Sequence, residues 1–201
     1  MGARVGAVAS LLGCVLLGLS GCTKAWCSGP IEGQVIDEGT GAPLADAIVL
    51  VNWQIKGMEG YPQGQLAIFE RVTDARGRFQ IPAWGPKRPP PGTTVALSEP
   101  TVRVFKSGYD PLVVVREANT EDDSHARTLL MRRVEGAPAE YASRMSTFWT
   151  PLDVNLGGDR CDWRAAPRLF NALVQLRAEF DAAGVRSDLP LRSYWCTTDT
   201  H

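Results

Sequence analysis

Few residue types in this chain are suited to chemistry. Its 201 residues hold five cysteines and two histidines, His125 and His201. Glu121-Asp122-Asp123 beside His125 forms the densest ionisable cluster. Oxygen ligands of that kind suit a hard cation such as calcium, but the same residues equally make a solvated loop between two strands, and we adopt that reading. Ser143, Ser146 and His125 are the residue types of acyl transfer, yet their spacing gives no triad. No Cys-x-x-Cys or Cys/His cluster occurs, which argues against zinc and thioredoxin-like redox chemistry. The most specific spacing surrounds Cys22. Val5 to Leu19 run without a charge, and the small residues Ser20 and Gly21 separate that run from Cys22.

Met1 to Arg4, with one positive charge, and the apolar run after it have the layout of a signal peptide. The run is shorter than the roughly 20 residues a spanning helix needs. Leu19-Ser20-Gly21-Cys22 resembles a bacterial lipobox. That resemblance implies diacylglycerol on the Cys22 thiol, cleavage before Cys22, and a further acyl chain on the freed amine. Anchoring then becomes stable, because one chain holds only marginally and two or more hold firmly, at about 0.8 kcal/mol per buried methylene. Thr23 rather than Asp follows the cysteine; by the same resemblance the address is the cell envelope, at the outer membrane.

Removal of residues 1–21 leaves about 180 residues, enough for one domain with an appendage. Acids and bases nearly balance, with a net charge of −1 for the whole chain, so no electrostatic case exists for nucleic acid. Lys87-Arg88 and Arg132-Arg133 read as solvated surface. With Cys14 in the signal peptide and Cys22 lipidated, Cys27, Cys161 and Cys196 remain for an oxidising compartment. One bridge and one free thiol are expected. Cys161–Cys196 is favoured because both lie in one carboxy-terminal segment, and Cys27–Cys196 is its rival.

The elements that must position these residues are mostly strands. After a short tether over 22–30, Ile31, Gly33 and Val35 alternate with Glu32 and Gln34, the period of a half-buried strand. Further strands are predicted over 47–55, 66–72, 78–81, 93–98, 101–105, 112–116 and 126–131. Residues 82–92 include five prolines and cannot form a paired interior strand. Gly41 and Gly77 suit tight turns of positive φ, Asp74 suits a turn whose backbone it hydrogen-bonds, and Gly108 lets Tyr109 fold back onto the body. Several short strands separated by turns argue a β-sandwich.

Gly33-Gln-Val35-Ile-Asp37, Thr40-Gly41-Ala-Pro43-Leu44-Ala-Asp-Ala47-Ile-Val49, Val72-Thr73-Asp74-Ala-Arg-Gly77-Arg-Phe79-Gln-Ile81 and Lys106-Ser-Gly108-Tyr109 together resemble a carboxypeptidase regulatory-like domain. The likeness covers residues 30–131, and implies a seven-stranded, transthyretin-like or immunoglobulin-like sandwich over 31–134. The stretch between Ile81 and Val102 is longer and richer in proline than the family pattern, which leaves the strand count there open. Enzymes of related architecture need residues this chain lacks. A zinc carboxypeptidase needs His-x-x-Glu and a distant His. The transthyretin-like hydrolase of purine catabolism needs several histidines and a carboxy-terminal tetrapeptide that Ser193-Tyr194-Trp195-Cys196 does not reproduce. Intradiol dioxygenases hold iron through two Tyr and two His.

Residues 135–201 form a helical extension. Tyr141, Met145, Phe148 and Trp149 give an apolar stripe behind Pro138. A longer helix is predicted from Trp163 to Ala183, with Leu169, Leu173, Leu176 and Phe180 on one face, Asp162 as N-cap and Gly184 as C-cap. Trp84, set among Gly and Pro, is a candidate contact for a sugar face or a protein, with packing in its own loop the competing role. The sequence thus reads as a non-catalytic, lipid-anchored binding or scaffolding module of the bacterial envelope. It needs no cofactor, and its partners are the bilayer through acylated Cys22 and an envelope protein or glycan. The competing reading is an envelope hydrolase with its site in the extension, around Arg160 to Arg168.

Overall fold

The computed structural model describes residues 24–96, 100–115, 126–156 and 161–191. Cys22, the Glu121-Asp122-Asp123 cluster, His125, Arg160, Cys196 and His201 lie outside them. Two sheets form the body. The smaller has the order β10 (Ala126–Met131), β2 (Ile31–Asp37), β5 (Arg78–Ile81). β10 runs parallel to β2 in unbroken register from Ala126↔Glu32 to Met131↔Asp37, and β5 is antiparallel to β2. The larger sheet has the order β4 (Pro62–Val72), β3 (Ile48–Gly57), β8 (Thr101–Phe105), β9 (Leu112–Val115), all antiparallel. The seven strands of these two paths make the expected sandwich.

Alternation on both sheets supplies the core between them. Val35, Phe79, Ile81, Leu129 and Met131 from the small sheet meet Val49, Val51, Trp53, Val102 and Val104 from the large one. Each full burial of such a side chain contributes roughly 1.5–3 kcal/mol. Short strands trim the ends. β7 (Thr93–Val95) pairs with the end of β3. β1 (Trp26–Ser28) pairs with β6 (Trp84–Lys87) in a two-stranded ribbon, Trp26↔Lys87 and Ser28↔Trp84. Part of the segment read as a plain tether is therefore a strand. The proline-rich stretch does form β6, which contains Pro86, but only in this peripheral ribbon, as the missing proline N–H requires.

The turn residues behave as their chemistry predicts. Gly41 and Gly77 have φ of 68° and 70°. At Gly77 a Cβ would lie 2.3 Å from the Val35 carbonyl oxygen, so any side chain is excluded there. Asp74 accepts hydrogen bonds from the backbone N–H of Arg76 and of Arg78, both at 2.8 Å. Gly108 has φ of 80°, and Tyr109 does fold back into the body.

A third layer of helices covers the outer face of the large sheet. α1 spans Pro138–Leu156 and buries Tyr141, Met145, Phe148, Trp149 and Leu152. A 3-10 turn, Asp162–Ala165, precedes α2, Pro167–Ala182. Their apolar faces form a second core with Leu50 and Phe105 of the sheet, in which Trp149 stacks on Trp163 at 5.1 Å. The helix predicted from Trp163 thus begins later, and Asp162 does not cap it. Pro167 supplies the reason: a proline is accommodated at the first helical position but breaks the preceding turn. The capping group comes from the sheet instead. Glu70 of β4 accepts the Arg168 N–H at 3.1 Å and the Leu169 N–H at 2.7 Å, the first two amides Pro167 leaves free. At the other end Gly184, with φ of 70°, closes the helix as expected: its N–H reaches the Asp181 carbonyl and the Val185 N–H reaches that of Phe180.

Candidate functional site

The two outer sheet faces differ. Helices cover the β3 and β8 part of the large sheet, where even the polar outward residues Asn52 and Arg103 are enclosed, while Val113 of β9 stays 43% exposed. Arg103 is 6% exposed and donates to Asn52 Oδ1 at 2.7 Å. Asn52 donates to Gln65, and Gln65 to the Asn155 carbonyl of α1, while Gln54 donates to Asn155 Oδ1. Burial brings the Arg103 guanidinium down to about 10. This chain of amides fastens the helical layer to the sheet.

The small sheet's outer face carries an open trough of about 550 Å³ lined by Glu32, Gln34, Asp74, Arg78, Gln80 and Thr128. Strand register builds it. Thr128, Gln34 and Arg78 align in one row across three strands, and Glu32 and Gln80 sit side by side in the next. Gln80 Nε2 donates to Glu32 Oε1 at 2.9 Å, and Gln34 Nε2 to the Arg76 carbonyl at 2.8 Å. The Asp74 carboxyl is held below its ordinary range, first by the Arg78 backbone N–H and then by that of Arg76. The trough thus offers a guanidinium, two carboxylates, two amides and a hydroxyl on a rigid frame. That inventory fits hydrogen bonding to an extended polar ligand; it contains no nucleophile paired with a base. Farther along the face the lining turns apolar, with Leu130 half exposed and paired with Ile36.

Alternation marked Glu32 and Gln34 as outward, but their meeting with Thr128 depends on pairing across nearly half of the chain. The isolated signal was outward polar residues on β2 and β5, common to any wet sheet face.

Among the described residues, those singled out in the sequence do not converge. Trp84 packs edge-on against Trp53 at 4.8 Å with Lys87 over its ring, so it plugs one end of the sandwich core. Ser146 donates to Asp188 at 2.9 Å. Trp163, within the segment of the hydrolase reading, is buried in the helical core. Cys27 is exposed and a free thiol, which disfavours its pairing with Cys196. Cys161 is buried. Tyr109 and Tyr141 have structural partners: Tyr109 donates to Asp37 Oδ2 at 2.8 Å, and Tyr141 to the Tyr109 carbonyl at 3.2 Å. Among the described residues no group of three His, Cys, Asp or Glu could hold a metal, and no helix is long and apolar enough to cross a membrane.

The strand pairing and the two cores define a mainly β protein, a seven-stranded sandwich with a helical third layer. No family model matches the chain, and no curated protein matches it. Among solved structures it is similar to a streptococcal ancillary pilin, at 13% identity and a TM-score of 0.30, over 54% of this chain and 30% of that one. It is also similar to 3-chlorocatechol 1,2-dioxygenase from Rhodococcus opacus 1CP, at 18% and 0.36, over 53% and 62%. A third is an alternative pilotin from the type II secretion system of Vibrio cholerae, at 16% and 0.31, over 55% and 100%. The chain spans less than a third of the pilin's length. Likenesses this distant carry no argument about binding or catalysis.

Proposed function

We propose that this chain is a cell-envelope lipoprotein, anchored through acylated Cys22, that acts as a non-catalytic binding or scaffolding module of the carboxypeptidase regulatory-like kind. Its binding surface is the polar trough on β2, β5 and β10. One observation carries the assignment of the surface: of the two outer sheet faces, helices bury the β3 and β8 part of one, whereas the other presents aligned polar side chains around an open 550 Å³ space. A rigid sheet bearing amides, carboxylates and a guanidinium recognises an extended polar partner, a peptide segment or a glycan, without reacting with it.

Two experiments test this. A photoreactive residue at Gln34 or Gln80, introduced in intact cells, is expected to yield a discrete adduct, and the double change Arg78→Ala with Thr128→Ala is expected to abolish it. Absence of any adduct from either position sinks the assignment. Turnover of a peptide, ester or glycan by the purified chain, abolished by a single substitution, would falsify the non-catalytic reading. For the anchor, Cys22→Ala is expected to remove both acylation and membrane retention. Labelled lipid persisting on that variant overturns the address. The bridge proposed for this state is Cys161–Cys196, and non-reducing peptide mapping decides it.

A further inference from the structure

Two strands flank the small sheet, and their outer edges differ. Along β5 the outward main-chain groups of Arg78 are taken by the turn before it. Its N–H reaches Asp74 Oδ1 at 2.8 Å, and its carbonyl accepts the Asp74 N–H at 2.9 Å. β10 is built otherwise. The Glu38 N–H donates to the Met131 carbonyl at 2.9 Å, so Met131 turns its main-chain groups toward β2. Successive residues of a strand alternate sides. Leu129 therefore faces β2 as well, while Thr128 and Leu130 each direct an N–H and a carbonyl away from the sheet. Among the described residues no strand pairs with that edge and no backbone group bonds to it. Sheet edges are commonly blunted by a bulge, a proline or a charge. Ala126–Met131 has neither bulge nor proline, and its exposed residues Thr128 and Leu130 are uncharged. The outer face beside this edge is striped. Thr128 leads into the polar row of Gln34 and Arg78, and Leu130 into an apolar row of Ile36 and Pro43, which bridges β2 at that level.

We infer that the β10 edge takes an extended polypeptide as a further strand of the small sheet, its main chain on Thr128 and Leu130 and its alternate side chains over the outer face. The inference rests on the trough as the binding surface and selects the peptide over the glycan. The main-chain groups carry that choice. Donor and acceptor recur along the edge at every second residue, about 7 Å. An extended polypeptide presents the complementary pattern at the same repeat, whereas the hydroxyl and acetamido groups of a glycan do not recur at that spacing. The stripes set the side chains of the partner: an apolar residue beside Leu130 and, two residues away, a polar one beside Thr128. Adjacent strands lie about 4.8 Å apart, so a long polar side chain there passes over Thr128 toward Gln34 and the trough. A second copy of the chain fits the edge less well. The six residues of β10 make an edge about 20 Å long and one strand thick, far short of the roughly 800 Å² per partner that a stable dimer buries.

The test uses the full chain in detergent and the capped peptide acetyl-Lys-Thr-Thr-Val-Thr-Lys-amide, whose second and fourth residues repeat the polar and apolar order of Thr128 and Leu130. The peptide is expected to slow hydrogen exchange at the Thr128 and Leu130 amides and not at Gln80 on the β5 edge. Two N-methyl forms, each methylated at alternate amides, probe the contact with the protein unaltered. At least one of them should bind roughly tenfold more weakly. Leu130→Pro removes one outward N–H without touching the β2 ladder, so it should weaken binding roughly fivefold with little change in Tm. Equal affinity for all three peptides, undiminished binding by Leu130→Pro, or no protection at Thr128 and Leu130 overturns the inference. Tighter binding of an N-acetylglucosamine hexamer overturns it in favour of a glycan. Protection that rises with protein concentration alone overturns it in favour of a second copy. The chain with a photoreactive residue at Gln34 separates this inference from the reading beneath it. An adduct that survives Leu130→Pro keeps the trough and overturns the edge, whereas no adduct in either chain overturns both.

Discussion

Asp37 shows how much one side chain can organise. It is 2% exposed, and its Oδ1 accepts the backbone N–H groups of Gly39 and Thr40 at 3.0 Å while its Oδ2 accepts Tyr109 Oη–H and Arg133 Nε–H at 2.8 Å. The Tyr109 hydroxyl, more than the Thr40 amide or Arg133, holds the carboxyl at about 2. The phenol is pushed up in turn, by burial first and then by Asp37. A carboxylate lowered by folding contributes stability that is full above its unfolded value, about 3.9, and is lost as pH falls toward 2. We expect Asp37→Asn to have a lower Tm than the parent at neutral pH, and a Tm that varies less between about pH 5 and about pH 2. Thermal melts across that range check it. The glycines provide a second comparison. Gly41 and Gly77 share the left-handed conformation, but a Cβ at Gly41 meets nothing within 4 Å, whereas at Gly77 it meets backbone on two sides, Val35 O at 2.3 Å and Leu44 N at 3.0 Å. Gly41→Ala is expected to cost roughly 1–2 kcal/mol in urea unfolding from conformation alone. Gly77→Ala should cost clearly more, because those backbone atoms cannot move without breaking the sheet edge.

The start of α2 separates what local sequence reveals from what it cannot. The apolar stripe of Leu169, Leu173, Leu176 and Phe180 was legible, as was the Gly184 stop, because both follow from spacing within a dozen residues. The beginning of the helix was not. Asp162 is the residue type that caps, but Pro167 moves the boundary, and the acceptor is Glu70, almost a hundred residues away. The β1–β6 ribbon was hidden for the same reason, since neither strand has a periodic signal and each exists only through the other. Thr101–Phe105 was read as a strand, yet nothing near Arg103 indicated that helices would enclose it. We expect Glu70→Ala to cost about 0.5–2 kcal/mol, with Glu70→Gln retaining more of the stability because it keeps an acceptor. Asn52→Leu, which strips the Arg103 guanidinium of its buried acceptor, should cost roughly 3 kcal/mol. Chemical denaturation of these variants tests both.

At the scale of the whole molecule, the helical layer is part of the fold rather than an attachment to it. Leu50 and Phe105 of the large sheet belong to the helical core, and Ile48 and Ile68 pack against it. A chain ended after Val134 would expose all four with the enclosed Arg103 and Asn52. We expect it to aggregate or to bind a hydrophobic dye strongly; a monomeric fragment with a cooperative melt equal to the parent would refute this. The candidate trough was legible only in part. The sequence indicated which residues of β2 face outward, but the face exists because the last strand of the sandwich lies beside the first, over 90 residues away. That neighbouring has a mechanical consequence. β2 follows closely on the amino-terminal end of the described chain, and β10, parallel to it, leads from its far end into α1. A pull between the amino-terminal segment and the helical layer loads the six registered pairs of β2 and β10 sideways and all together, rather than peeling them one by one. The joint is built like a lap seam, which resists tension far better than a zipper.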